Sequence, residues 1–167
     1  MRQVSQVSQV SQVSQVSQVR LWRICRKQHA SDPLSGRGGL LASGRWHPKG
    51  RRVVYTSSTL SLAALEILVH TDRDLLSGDL VQVEIDLPND VEREVIEPNA
   101  LPRNWRRYPA PAPLQRLGAD WLDRGHTAVL QVPSAVILQE NNYLLNPLHP
   151  HAHRIRVLTK RRFEFLH

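Results

Sequence analysis

The sequence predicts a mixed α+β domain, compact, with short strands and a few helices. Three observations carry this. Short apolar runs of strand character recur along the chain, two longer stretches read as helices, and proline and glycine clusters separate them. Several short strands with two helices between them indicate α+β architecture. The 167 residues, 41% of them hydrophobic, suffice for one domain with a sizeable core.

The elements follow in order. Residues 3–19 form a near-perfect Gln-Val-Ser repeat. A period of three matches neither strand alternation nor the helical 3.6, so no consistent apolar face can form. Residues 1–18 are therefore read as a disordered low-complexity leader, and residues 19–167 as the domain. Val19-Arg20-Leu21-Trp22-Arg23-Ile24 alternates like a strand. Residues 26–50 hold five glycines and two prolines and read as an irregular loop; a loop that long is uncommon unless it carries function. Val53 to Tyr55 is a short strand. Ser58 or Thr59 can cap a helix running to about Thr71. That helix is apolar on nearly every side, the pattern of a buried one.

Leu80 to Leu87 is the clearest amphipathic strand, ended by Pro88. Residues 97–113 are rich in proline and arginine and read as a surface excursion. Leu114 to Arg124 is helical and stops at Gly125. Ala128 to Val132, Asn142 to Pro147 and Arg154 to Leu158 complete the strands.

The formal charge is +7 and the pI about 10.5, with lysine only at Lys27, Lys49 and Lys160. Such a balance fits nucleic acid, phosphate-bearing small molecules or an acidic protein partner. Arginine suits bidentate phosphate and carboxylate contacts. No apolar run approaches the roughly 18 residues a membrane span needs, and no signal pattern opens the chain. The expectation is a cytoplasmic protein without a membrane role. Cys25, the single cysteine, excludes an internal disulfide and a multi-cysteine zinc site, and reads as a packing residue.

Glu66 is the most informative residue. An ionised carboxylate in an apolar helix is expensive to bury unless it is paired or used. Arg45 lies on the preceding loop and Tyr55 on the short strand, so all three must pack close together. A cation, an aromatic ring and a carboxylate in one cleft point to a charged substrate with a flat ring. The competing reading is a structural Arg45–Glu66 ion pair with Tyr55 in the core. Ser134 reads equally as a turn serine, and no Gly-x-Ser-x-Gly elbow supports a hydrolase nucleophile. His149, His151 and His153 alternate, but Pro150 and the lack of an acidic or cysteine ligand nearby argue for a loop rather than a metal site. Arg103-Asn104-Trp105-Arg106-Arg107-Tyr108 interleaves cations and aromatics as nucleic-acid surfaces do, or is a solvated loop with one buried Trp.

Taken together, these segments resemble the RES domain, named for its Arg, Glu and Ser. The matching blocks are Leu21-Trp22-Arg23, Gly44-Arg45-Trp46-His47, Val53-Val54-Tyr55, Leu65-Glu66-Ile67-Leu68-Val69-His70, Val132-Pro133-Ser134-Ala135, and Asn142-Tyr143-Leu144-Leu145-Asn146-Pro147 with His149-Pro150. The resemblance covers about residues 20–167. It implies a fold like that of ADP-ribosyltransferases and the toxin of a bacterial type II toxin–antitoxin pair. It further implies degradation of NAD by cleavage of the nicotinamide–ribose bond, through hydrolysis or phosphorolysis. The implied partner is an Xre-type helix-turn-helix antitoxin, through which alone nucleic acid would be met; a dimer within that complex is compatible. By position, Arg45, Tyr55, Glu66 and Ser134 match the active-site residues. Arg23 and Asn142 match recurrent motif positions that would contribute to substrate binding. His47 departs from the pattern, since many members carry Asn there.

The implied chemistry suits these residue types. Cleavage passes through an oxocarbenium-like state. Glu66 would hold the ribose hydroxyls and stabilise the positive charge. Arg45 would grip the pyrophosphate, Tyr55 would stack on the nicotinamide, and Ser134 would bond the ribose or the amide. NAD is then the substrate, with inorganic phosphate as an optional co-substrate. The nicotinamide is already a cationic heterocycle, so its departure calls for no metal cofactor. The alternatives are a protein-modifying ADP-ribosyltransferase, an RNA-directed basic toxin depending on Arg103, Arg106 and Arg107, and a non-enzymatic binding domain in which Glu66 is merely paired.

Overall fold

A computed structural model describes residues 18–71, 76 and 78–166. The Gln-Val-Ser leader, apart from Gln18, lies outside the described residues. The strands are β1 (Val19–Arg26), β2 (Val54–Ser57), β3 (Leu80–Leu87), β4 (Arg93–Val95), β5 (Val129–Pro133), β6 (Asn141–Leu145) and β7 (Arg156–Phe163). The helices are α1 (Gly38–Leu41), α2 (Leu60–His70) and α3 (Ala112–Arg124). The α+β expectation holds. The seven strands form one sheet in the order β4-β5-β6-β2-β1-β3-β7. All neighbours run antiparallel except β4 and β5.

The sheet nearly divides at its centre. β1 and β2 share one registered pair, Trp22 with Ser57, whereas β1 pairs with β3 from Val19 to Arg26. Where the ladder lapses, the Arg23 guanidinium reaches across and donates from Nη1 to the Tyr55 carbonyl at 3.2 Å. A side chain thus replaces the missing β1 donor. Its Nε is buried without a hydrogen-bond partner, and burial lowers the Arg23 pKa.

Two cores lie on opposite faces of the sheet. Leu21, Val83, Ile85, Leu87 and Val129 belong to one; Trp46, Trp105, Leu114, Trp121, Leu130 and Leu144 belong to the other. Cys25 is buried in the first, as a packing residue should be. Between Ile24, Ala63 and Leu80 lies a smaller third cluster, which seats α2.

Helix α2 corrects one expectation. Thr59 caps it, accepting from the Leu62 N–H at 3.0 Å. The helix is not buried all round, however. Leu62 and Ala63 are inside, while Leu65, Leu68 and Val69 are 38%, 42% and 60% exposed. Its apolarity exceeds what one sheet face can cover, because it packs on β1 and β2 as an outer layer.

Strand β4 carries no strand signal, being three residues long and charged at Arg93 and Glu94. It is recruited as a parallel neighbour of β5. The chain between them, the Pro- and Arg-rich stretch plus α3, is the crossover that a parallel pair requires. This excursion is not merely surface: Trp105 is buried among the Trp121 and Leu114 side chains.

Helix α3 ends at Gly125, whose φ of +59° suits the left-handed cap and whose N–H bonds the Trp121 carbonyl. Gly118 lets α3 touch the Gly44–His47 turn, since a Cβ there would lie 1.6 Å from the Trp46 carbonyl oxygen. Neither helix backbone nor turn can yield cheaply. Gly118→Ala should destabilise the protein by about 2 kcal/mol or more, lowering Tm by roughly 5 °C or more in a thermal melt.

Candidate active site

Glu66 lies on the inner side of α2, facing the start of β6 and the turn after β5. Asn142 Nδ2 donates to its Oε1 at 2.7 Å and Ser134 Oγ donates to the same oxygen at 2.8 Å. Each donor is itself held. Ser57 Oγ donates to Asn142 Oδ1 at 2.9 Å, which orients the amide with its NH2 toward the carboxylate. Ser134 Oγ accepts the N–H groups of Val136 and Ile137, both at 3.1 Å. Ser134 is therefore the expected turn serine and a Glu66 donor at once. Oε2 has His70 Nε2 at 3.6 Å, one helical turn on, too long for a well-formed hydrogen bond.

Burial by itself would raise the Glu66 pKa. The polar contacts of His70, Asn142 and Ser134 outweigh it, and the carboxyl titrates below its ordinary value. Glu66 is thus held as a carboxylate at the wall of a cleft, the form that can stabilise developing positive charge.

Tyr55 anchors the facing wall. Its hydroxyl accepts from the Trp46 N–H at 3.1 Å and meets His47 Nδ1 at 2.7 Å. His47 Nε2 lies 2.9 Å from the Ala42 carbonyl, which can only accept, so Nε2 carries the proton and Nδ1 receives the Tyr55 O–H. Burial lowers the His47 pKa and raises that of Tyr55. Both stay neutral, and His47 acquires a role: it fixes the hydroxyl around which the Gly44–His47 turn is wound. A Cβ at Gly44 would fall 2.5 Å from that hydroxyl, so the turn needs glycine.

Arg45 emerges from this turn into the cleft. Among the described residues no ion pair joins it to Glu66, although the carboxylate is near enough to offset part of the lowering that burial imposes on the arginine. Instead its Nη1 donates to the carbonyls of Trp105 at 2.6 Å and Arg107 at 3.1 Å. The structural ion-pair alternative is not what the geometry contains. Arg45 fastens the crossover loop over the cleft, and among the described residues no hydrogen bond engages its Nη2 or Nε.

The cleft holds about 580 Å³, with Arg45, Tyr55, Glu66, His70, Tyr108 and Asn142 among its lining. Arg23 and Asn142 border a smaller recess of about 130 Å³ beside Tyr55 and Glu66. Ser134 is fully buried behind Glu66 and is not among the cleft residues. Of the six residues singled out from the sequence, five therefore border the cleft or its recess, and Ser134 supports one of them.

His70, Tyr108 and Gln115 were not singled out for the cleft they line. The spacing of His70 four residues after Glu66 was a readable helical signal. Gln115 donates to the Gly44 carbonyl at 3.1 Å, a long-range contact with no local trace. Arg106 spends Nε on the Ala135 carbonyl at 3.0 Å, pinning the crossover loop rather than standing free for RNA. The histidine loop is bound internally: His149 Nε2 meets the His126 carbonyl at 3.3 Å and His153 Nδ1 the Pro150 carbonyl at 2.8 Å. Among the described residues no helix is long and apolar enough to cross a membrane, and no cluster of His, Cys, Asp and Glu gathers to hold a metal ion.

Comparison with known proteins places this geometry. A family model, the RES domain, matches residues 20–166. A relative named Toxin Res from Photorhabdus laumondii is 36% identical over 148 residues, covering 87% of this chain and 92% of that protein. Another Toxin Res, from Yersinia enterocolitica, is 40% identical over 77% of this chain and 84% of its own length. The Prs ADP-ribosylating toxin of a Sphingobium species is 36% identical over 85% of this chain and 91% of its own. Among solved structures, a chain of the M. tuberculosis MbcT–MbcA toxin–antitoxin complex superposes with a TM-score of 0.73 at 15% identity, covering 88% of this chain and 85% of that one. That likeness shows a shared fold.

Two expectations test the site. Asn142→Ala removes a donor, so the Glu66 titration followed by carboxyl 13C NMR should move upward; an unmoved titration would dissociate Asn142 from the carboxylate. A carboxyl with a lowered folded pKa stabilises above its unfolded value and loses that contribution as pH falls through the folded one, so the variant should also be less acid-resistant. His47→Leu strands the Tyr55 hydroxyl and should cost about 2 kcal/mol in denaturant unfolding. Because the folded His47 pKa is lowered, wild-type stability should fall as pH drops below the ordinary imidazole value. The leucine variant should lack that part of the slope.

Proposed function

Because this chain belongs to the RES domain family, we propose that it is the toxin of a toxin–antitoxin pair and that it acts by cleaving the nicotinamide–ribose bond of NAD. The observation that carries the reading is the Glu66 carboxylate, held ionised by Asn142 and Ser134 at the wall of a cleft that also receives Arg45. Departure of nicotinamide leaves positive charge on the ribose. With Asn142 and Ser134 on Oε1, Oε2, which His70 approaches only to 3.6 Å, would take the ribose hydroxyls, with the charge aimed at the oxocarbenium. Arg45, part of its fork already engaged, would meet the pyrophosphate with Nη2 and Nε.

The acceptor is water or inorganic phosphate. A second reading, transfer of ADP-ribose to a protein, is favoured by the name of the Sphingobium relative, an ADP-ribosylating toxin. The partner would be an Xre-type antitoxin acting in the cytoplasm, where the NAD pool lies; the toxin–antitoxin complex of the structural neighbour supports such a partner.

Incubation of the purified protein with NAD, with and without phosphate, and analysis of products separates the readings. Free ADP-ribose indicates water, its 1″-phosphate indicates phosphate, and label on protein indicates transfer. Glu66→Gln keeps the shape and removes the charge, and should slow NAD loss about a hundredfold or more. It should also relieve the growth arrest caused by the wild type. Arrest by the variant, or arrest at constant NAD, would remove the NAD reading.

A further inference from the structure

Two tyrosines border the cleft, and they differ in what remains free. The Tyr55 hydroxyl is engaged twice, its ring tilts against His47 at 5.5 Å, and the side chain packs with the Trp46 core. Its hydroxyl is thus committed to the turn, although the residue still lines the cleft. Tyr108 is 79% exposed although it lines the same cleft. A single exposed aromatic on a loose loop would mean little. The loop around Tyr108 is not loose. Arg45 holds the carbonyls of Trp105 and Arg107, Arg106 holds the carbonyl of Ala135, and Trp105 is buried. The chain just before Tyr108 is thus tied to both walls of the site while the ring is left exposed.

That ring has an aromatic neighbour in the cleft. The His70 ring lies 5.6 Å away, tilted by 34°. Two stacking gaps need roughly 7 Å between outer rings, so no third ring fits between them. His70 in turn stands 3.6 Å from Glu66 Oε2. Tyr108 therefore lies one residue from the carboxylate, across the cleft that both line. The group bonded directly to the sugar that Glu66 would hold is the nicotinamide, a cationic ring suited to the electron-rich face of a phenol.

We propose that Tyr108, beside His70, is the platform that receives the substrate's cationic pyridinium ring, while Tyr55 shapes the turn that carries Arg45. The identity of the ring rests on the NAD reading above; the existence of the platform does not. Because the attraction acts on the cationic ground state and fades as neutral nicotinamide departs, Tyr108 contributes to binding more than to turnover.

The test uses 1-methylnicotinamide, which carries the same cationic ring and no phosphate, titrated into the full chain while the His70 ring protons are followed by NMR. Saturable shifts are expected for the wild type. Tyr108→Phe should bind within about twofold of it, and Tyr108→Ala roughly three- to tenfold more weakly. With NAD, Tyr108→Ala should raise KM by a similar factor without lowering kcat. Equal probe affinity in Tyr108→Ala, or no saturable shift in the wild type, overturns the proposal. So does a variant that loses affinity only for a protein partner. Tyr108-dependent probe binding without any NAD consumption by the wild type would sink the NAD reading and leave the ring site standing.

Discussion

The structure depends on keeping one half-buried carboxylate charged. Glu66 pays for its desolvation with donors drawn from two other parts of the chain, Ser134 after β5 and Asn142 on β6. Neither donor could act without support: Ser57 turns the Asn142 amide, and the Val136 and Ile137 N–H groups hold the Ser134 hydroxyl. The same bonds that hold Glu66 ionised fasten α2 to the sheet. This explains how a helix with much of its apolar surface exposed stays seated where the site requires it. Electrostatics and architecture are one network here.

A second hub faces the first. The Tyr55 hydroxyl organises the Gly44–His47 turn through Trp46 and His47. Backbone approaches there are so close that Gly44 and Gly118 have no room for a Cβ. Arg45 is delivered from that turn, and its bonds to Trp105 and Arg107 draw the crossover loop in as the remaining wall. The near-division of the sheet between β1 and β2, bridged by Arg23, lies beside Tyr55 and opens the recess that adjoins Glu66. An unbroken ladder would close that space.

Much was legible in the sequence because it is local. The period-two run of β3, the Thr59 cap of α2 and the Gly125 stop of α3 are decided by residues a few positions apart. Glu66 stood out for a similar reason, since a charge inside an apolar segment has to be answered somewhere, and Arg45 and Tyr55 stood out as the loop and strand residues just before it. What answers Glu66 was not legible, since Ser134 and Asn142 lie 68 and 76 residues away in the chain.

The sequence by itself therefore determined the class of fold, most of its elements, and the residues around which a site would form, because propensity, periodicity and the penalty for burying charge act over short stretches. Only the tertiary structure decided the rest. It set Arg45 against two carbonyls instead of Glu66, paired His47 with Tyr55, and made β4 a strand through its partner. It also turned a Pro- and Arg-rich excursion into the wall that carries Tyr108. Each of these rests on a hydrogen bond or contact between distant segments, and such bonds exist only once the sheet has brought those segments within a few ångströms.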